Sequence, residues 1–227
     1  MALNRVSRVD DRVKIRNVLL SVSDKSGLGL LVEGLLTVNP DVRFYSTGGT
    51  FAHLQSLLGD RSATHLKAVS DYTGQPEMQG GLVKTLDFKI YMGLLSETYN
   101  EAHRLDLKRT DCLEFDLVVV NLYPFQDTVS QPGVTLEDAR AHIDIGGPCM
   151  LRASGKNFLR VASVCDPADY PALLEELKSK GGTTALATRL EFAKKTFVHT
   201  AAYDSAISAY LLAQNGSLQG LYQYGAR

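Results

Sequence analysis

The segment Leu117-Val118-Val119-Val120-Asn121-Leu122 is an apolar run broken by a single amide. A strand with one wet face alternates apolar and polar residues, and this one does not, so both of its faces must be covered. That is the condition of an interior strand in a parallel sheet, whose neighbours are reached only through crossover connections, usually helices. The rest of the chain supplies the alternation that such a sheet requires. Val18–Val22 reads as a buried strand and Gly27–Val38 as the helix that follows. Arg43–Ser46 predicts a second strand, and Phe51, Leu54, Leu57 and Leu58 mark one face of a second helix. Val161–Cys165 adds another strand, while Pro171–Lys180 and Thr184–Leu212 read as helices separated by Gly181-Gly182. The expected fold class is therefore α/β, a parallel β-sheet covered by helices, with a helical C-terminal portion. A chain of 227 residues is expected to form one domain over 1–227, with poorly ordered ends at 1–15 and 213–227.

Charge and cysteine usage exclude several classes. Lys plus Arg (24) nearly balance Asp plus Glu (25), so no global field draws the chain to nucleic acid or to a membrane surface. Cys112, Cys149 and Cys165 are odd in number and widely spaced, which argues against a disulfide framework or a zinc site and for a reducing, cytoplasmic setting. The five histidines lack any close ligand spacing, so no metal is expected. No segment reads as a signal peptide or a membrane span.

In a parallel α/β sheet, ligand sites gather beyond the carboxyl ends of the strands. Five motifs fall at such positions. Ser21-Val22-Ser23-Asp24-Lys25-Ser26-Gly27 is a hydroxyl- and lysine-bearing loop before a helix, suited to an anion, although Asp24 or Ser26 equally reads as a simple N-cap. Ser46-Thr47-Gly48-Gly49-Thr50 repeats the arrangement, its glycines permitting close backbone approach to a phosphate. Gly80-Gly81-Leu82-Val83-Lys84-Thr85-Leu86 ends a long polar stretch and offers a cation. Asn121-Leu122-Tyr123-Pro124-Phe125 places an amide and a phenol where the best strand emerges, the phenol being equally a core aromatic. Ile143-Asp144-Ile145-Gly146-Gly147-Pro148, continuing to Lys156, sets a carboxylate among apolar residues, where it resists ionisation unless a cation pairs with it.

The ordered combination S-V-S-D-K-S-G, S-T-G-G-T, T-G-x-P-E-M-x-G-G-x-V-K-T-L, N-L-Y-P-F and I-D-I-G-G-P resembles the IMP cyclohydrolase family, and the resemblance runs on through R-A-S-G-K-N, C-D-P-x-D-Y and F-x-H-T-A-x-Y-D. It implies a methylglyoxal-synthase-like (MGS-like) fold, a homodimer, a nucleotide substrate and no cofactor. The implied reaction is ring closure of 5-formamidoimidazole-4-carboxamide ribotide to inosine monophosphate, with the formyl group supplied by a separate transformylase. By the same resemblance Lys84, Tyr123, Asp144 and Lys156 are catalytic, Asp144 and Lys156 forming the proton-handling pair. Ser21, Ser23, Lys25, Ser46, Gly48, Gly49, Thr50, Thr85 and Asn121 are substrate-binding, and the N–H groups of Gly146 and Gly147 stabilise the oxyanion. The alternative is a non-catalytic nucleotide- or phosphate-binding regulatory module of the same fold; a triose-phosphate lyase is disfavoured for want of its Asp and His pattern. One departure stands out. The family's G-G-R-V-K-T-L-H-P-x-V-H reads here with Leu82, Asp87, Phe88 and Tyr91 in place of Arg, His, Pro and His, leaving Lys89 as the candidate replacement cation.

Overall fold

The computed structural model describes residues 5–75, 83–214, 221, 222 and 225. The elements run β1 (Arg12–Lys14), β2 (Asn17–Val22), α1 (Leu28–Val38), β3 (Arg43–Ser46), α2 (Gly48–Leu58), α3 (Ser62–His65), β4 (Leu66–Ala68), α4 (Val69–Thr73) and α5 (Phe88–Leu95). They continue with α6 (Glu101–Arg109), β5 (Leu117–Asn121), α7 (Phe125–Val129), α8 (Leu136–Ala141), α9 (Gly146–Lys156), β6 (Ala162–Val164), α10 (Tyr170–Ser179), β7 (Thr183–Ala185) and α11 (Leu186–Leu212).

β2 through β6 form a parallel sheet in the order β4-β3-β2-β5-β6. Val18 lies opposite Phe44 on one side and Leu117 on the other, and Leu117 opposite Ala162. Because successive side chains on a strand point to opposite faces, the apolar run of β5 divides between two cores. Leu117 and Val119 join Val18, Leu20 and Phe44 beneath α1 and α10, while Val118 and Val120 join Leu19 and Tyr45 beneath α5 and α9. Every residue of β5 is buried, as an interior strand covered on both faces must be.

Two sequence expectations need correction. Arg12–Lys14, assigned to a loose end, pairs antiparallel with β7, Arg12 facing Ala185. Thr184 and Ala185, read as the start of the last helix, belong to that ribbon, and α11 begins at Leu186. What holds the ribbon is Arg189 in the first turns of α11, fully buried and donating to the carbonyls of Asp10, Asp11, Phe158, Leu159 and Thr184. Among the described residues, no helix is long and apolar enough to cross a membrane.

α11 runs 27 residues and closes over α9 and β6. Its approach is close because Gly155 presents no side chain: a Cβ there would sit 3.3 Å from Thr196 and 3.2 Å from Phe197. Buried Thr196 donates to the Ser163 carbonyl at 3.1 Å, so the contact is polar as well as apolar.

Candidate active site

A cavity of about 450 Å³ opens beyond the carboxyl ends of β2, β3 and β5, walled by the loops after those strands, by residues 83–86 and by the start of α9. Its volume is in the range of small-ligand sites. It gathers Ser21, Ser23, Lys25, Gly48, Gly49, Thr50, Lys84, Thr85, Asn121, Tyr123, Asp144, Gly146 and Gly147, residues drawn from all five motifs.

One end of the cavity is the N-terminus of α2. Thr47 caps it without a side-chain hydrogen bond, and Gly48 and Gly49 are exposed in its first turn, with open space beyond Gly49. Free N–H groups at a helix start, together with the positive end of the helix dipole, attract an anion. The Lys84 ammonium sits over this turn, 2.9 Å from the point a Cβ on Gly48 would occupy, so a side chain at Gly48 would displace the cation. Gly48 also has φ 51°, a left-handed conformation that a larger residue adopts only at a cost.

The other end is the turn before α9. Asp144 is partly buried, and its Oδ1 accepts the Gly147 N–H at 3.0 Å, reaching the first turn of α9 from just before the N-cap residue Ile145. Burial pushes its carboxyl above the ordinary range; the N–H groups of Gly147 and Gly146 and the Lys84 charge pull the other way without cancelling the effect. Both glycines are required by close packing. A Cβ on Gly147 would strike Asp144 Oδ2 and Leu122, and one on Gly146 would strike the Thr85 hydroxyl. Lys84 thus stands over the helix terminus in the same cavity as the carboxyl, which feels its charge. Val83, immediately before it, has φ 59°, an outlier for a β-branched residue, and its carbonyl accepts from the Gln75 side chain and the Leu86 N–H. Tyr123 is 57% exposed on the cavity wall, which excludes the core-aromatic reading.

Several roles are redistributed. Lys156 ends the 11-residue helix α9, at the opposite end from Gly146, so the helix rise carries it about 15 Å away. It is exposed and does not line the cavity; the cation whose charge Asp144 feels is Lys84. Ser46 is fully buried, with its hydroxyl donating to the Leu20 carbonyl, and it too is outside the cavity. The Thr50 hydroxyl is committed to both the N–H and carbonyl of Val22 at 3.0 Å, leaving its backbone rather than its side chain for a ligand. The N–H groups of Gly147 and Gly146 serve the Asp144 carboxyl in place of an oxyanion.

Asn121 turns its amide to the neighbouring loop. Its Oδ1 accepts the N–H groups of Ser23 and Asp24 at 2.7 and 2.8 Å, and its Nδ2 donates to the Asp24 carbonyl at 2.8 Å. It therefore shapes the loop that presents Ser23 and Lys25. Asn121→Ala leaves two N–H groups without that acceptor and is expected to cost about 1–3 kcal/mol of stability in urea unfolding. An unchanged midpoint would mean that the loop is held elsewhere. As for the N-cap reading, Asp24 accepts the Ser26 N–H across a local turn, while α1 begins after Gly27 with no side-chain cap.

The substitutions at 87–91 have local explanations. Asp87 caps α5 by accepting the Lys89 N–H at 2.8 Å. Lys89 does not replace the missing cation at the cavity, because its ammonium donates to the Tyr72 carbonyl and lies 5.5 Å from the Tyr72 ring centre. Phe88 is exposed and Tyr91 partly buried, and both line a second, shallower groove. Leu82, with the rest of residues 76–82, lies outside the described residues. Sequence reading also missed His142, Ile143 and Ile145 on the cavity wall. A signal existed for His142, two residues before Asp144; its Nδ1 lies 2.7 Å from the Asp138 carbonyl.

Fold and site together define a parallel α/β domain whose crevice, at the carboxyl ends of its strands, gathers a helix N-terminus, a lysine and a partly buried carboxyl. Residues 31–149 match the model of the MGS-like domain, and residues 154–225 that of the AICARFT/IMPCHase bienzyme. The chain belongs to the MGS-like domain family, and the two matches together are consistent with a domain of the IMP cyclohydrolase type. It is 45% identical over 196 residues to the bifunctional purine biosynthesis protein PurH of Trichormus variabilis, and 44% identical over 200 residues to that of Magnetococcus marinus. These matches cover 86% and 88% of this chain but only 38% and 36% of the relatives, so the chain spans little more than a third of their length. The crystal structure of ForH is similar with a TM-score of 0.75 and 30% identity, over 89% of this chain and all of that one.

Proposed function

We propose that the domain is an IMP cyclohydrolase, closing the ring of 5-formamidoimidazole-4-carboxamide ribotide with loss of water. The observation that carries this reading is one cavity that holds the N-terminus of α2, Lys84 over its first turn and the raised carboxyl of Asp144. In the proposed complex the ribose phosphate occupies the turn of Gly48–Thr50 and the Ser23–Lys25 loop, and the base reaches toward Asp144.

The chemistry is intramolecular. The carboxamide nitrogen forms a bond to the formyl carbon, and the formyl oxygen leaves as water. One proton comes from the carboxamide nitrogen and one from the formamide nitrogen, and both end on the departing oxygen. Such a reaction gains most from holding its two arms in contact and from a group that moves protons. Asp144, whose burial holds a proton to higher pH, is the proposed carrier, Lys84 orients it and balances its charge, and Tyr123 borders the reacting arms. No cofactor enters. A homodimer and a transformylase that supplies the formylated substrate complete the proposal.

The test is conversion of the synthetic formamido ribotide to inosine monophosphate, followed by ultraviolet absorbance. Wild type is expected to turn over, and Lys84→Ala to lose about tenfold to a hundredfold in kcat/KM, the scale of removing a charged contact to ligand and carboxyl together. Nucleotide binding without turnover by wild type would sink the enzyme reading in favour of a regulatory module.

A further inference from the structure

Tyr203 is buried in the middle of α11, with 8% of its surface exposed. A buried phenol is costly unless its hydroxyl is bonded, and a phenylalanine would fill the same space without that cost. The hydroxyl of Tyr203 accepts the backbone N–H of Asp144 at 2.7 Å. Around this bond the main chain looks after itself: the N–H groups of His142 and Ile143 go to carbonyls of α8, and that of Cys149 goes to Ile145. The N–H of Asp144 instead reaches a side chain 59 residues away.

Asp144 is thereby held at both ends, its N–H by Tyr203 and its carboxyl by Gly147. The Tyr203 ring is itself fixed edge-on against Phe125, with centroids 6.2 Å apart, and Phe125 packs in turn against Tyr210 at 5.9 Å. Phe125 is two residues beyond Tyr123, so the same aromatic group braces the segment that carries the phenol on the cavity wall. Asp144 lies in the MGS-like stretch and Tyr203 in the stretch matched by the bienzyme model.

We infer that Tyr203 is a positioning residue, through which helix α11 sets the place of the Asp144 carboxyl in the cavity. The catalytic consequence rests on the cyclohydrolase reading; the structural one does not. The distinguishing variant is Tyr203→Phe, which keeps the ring against Phe125 and removes only the acceptor. Amide hydrogen exchange at Asp144, followed by nuclear magnetic resonance, is expected to speed up by about tenfold or more while α9 and β5 keep their protection. Turnover is expected to fall about tenfold in kcat with KM within about twofold of wild type, the pattern of a lost arrangement of the reacting groups rather than lost binding. The melting temperature should stay within about 4 °C. Unchanged exchange at Asp144 overturns the inference. So does a general loss of protection with a matching fall in melting temperature, which marks a merely structural tyrosine, and so does kcat unaltered in an active enzyme. A wild type without turnover would defeat the cyclohydrolase reading and leave the exchange measurement to decide on Tyr203.

Discussion

Asp144→Asn is expected to lower turnover of the formamido ribotide by about a hundredfold to ten-thousandfold, the range for removing a positioned proton-transfer group. Nucleotide affinity should change little, because the anion-accepting turn at Gly48–Thr50 is separate from the carboxyl and asparagine keeps an oxygen for the Gly147 N–H. Stability should move the opposite way from activity. Burial raises the folded-state value of Asp144 above its ordinary 3.8. A carboxyl raised in this way favours folding while both states are protonated, and that advantage is lost as pH rises through the folded value. Asparagine has no proton to lose, so at pH 7 the variant should be at least as stable as wild type, with the difference vanishing in acid. Steady-state rates combined with thermal melts at pH 4 and pH 7 check both halves. A variant that keeps a tenth of wild-type turnover would remove Asp144 from the chemistry, and one that melts well below wild type at pH 7 would contradict the raised carboxyl.

The second large effect is on folding. Arg189 spends its guanidinium donors on five carbonyls, from Asp10, Asp11, Phe158, Leu159 and Thr184, and is wholly shielded from water. Arg189→Met keeps much of the volume and leaves those carbonyls without their donor. Each buried acceptor left unpaired costs about 1–3 kcal/mol, so a loss of at least about 3 kcal/mol is expected even after water repairs some of them. Against a typical stability of about 5–15 kcal/mol this is a large fraction. Urea unfolding measures it, and a change below about 1 kcal/mol would show that the ribbon and the β6 approach are held by apolar packing instead.

The fold was legible because its strongest signal, the apolar run of β5, is typical of a strand covered on both faces, and the alternation of strands and helices around it points to a parallel sheet. The helices α1, α2 and α10 followed from apolar spacing. The ribbon of β1 and β7 was not legible, because each strand is three residues long and gains its place from a distant partner and from Arg189, neither of which leaves a local pattern. The cavity was legible at motif level and less so atom by atom. Hydroxyls, amides and glycines that suit a phosphate also suit turns, and sequence does not say which way they point. Ser46, Thr50 and Asn121 turn their polar atoms to neighbouring backbone. Lys156 was paired with Asp144 because the two are close in sequence, a proximity that helix α9 converts into distance, while Lys84 arrives from 60 residues away in the chain.

The β1–β7 ribbon also bears on the order in which the molecule is completed. Residues 10–14 are synthesised well before their partners at Thr183–Ala185 and Arg189. Until that later stretch has been synthesised, β1 is without its partner β7. A chain interrupted before Thr183 therefore also leaves β1 unplaced.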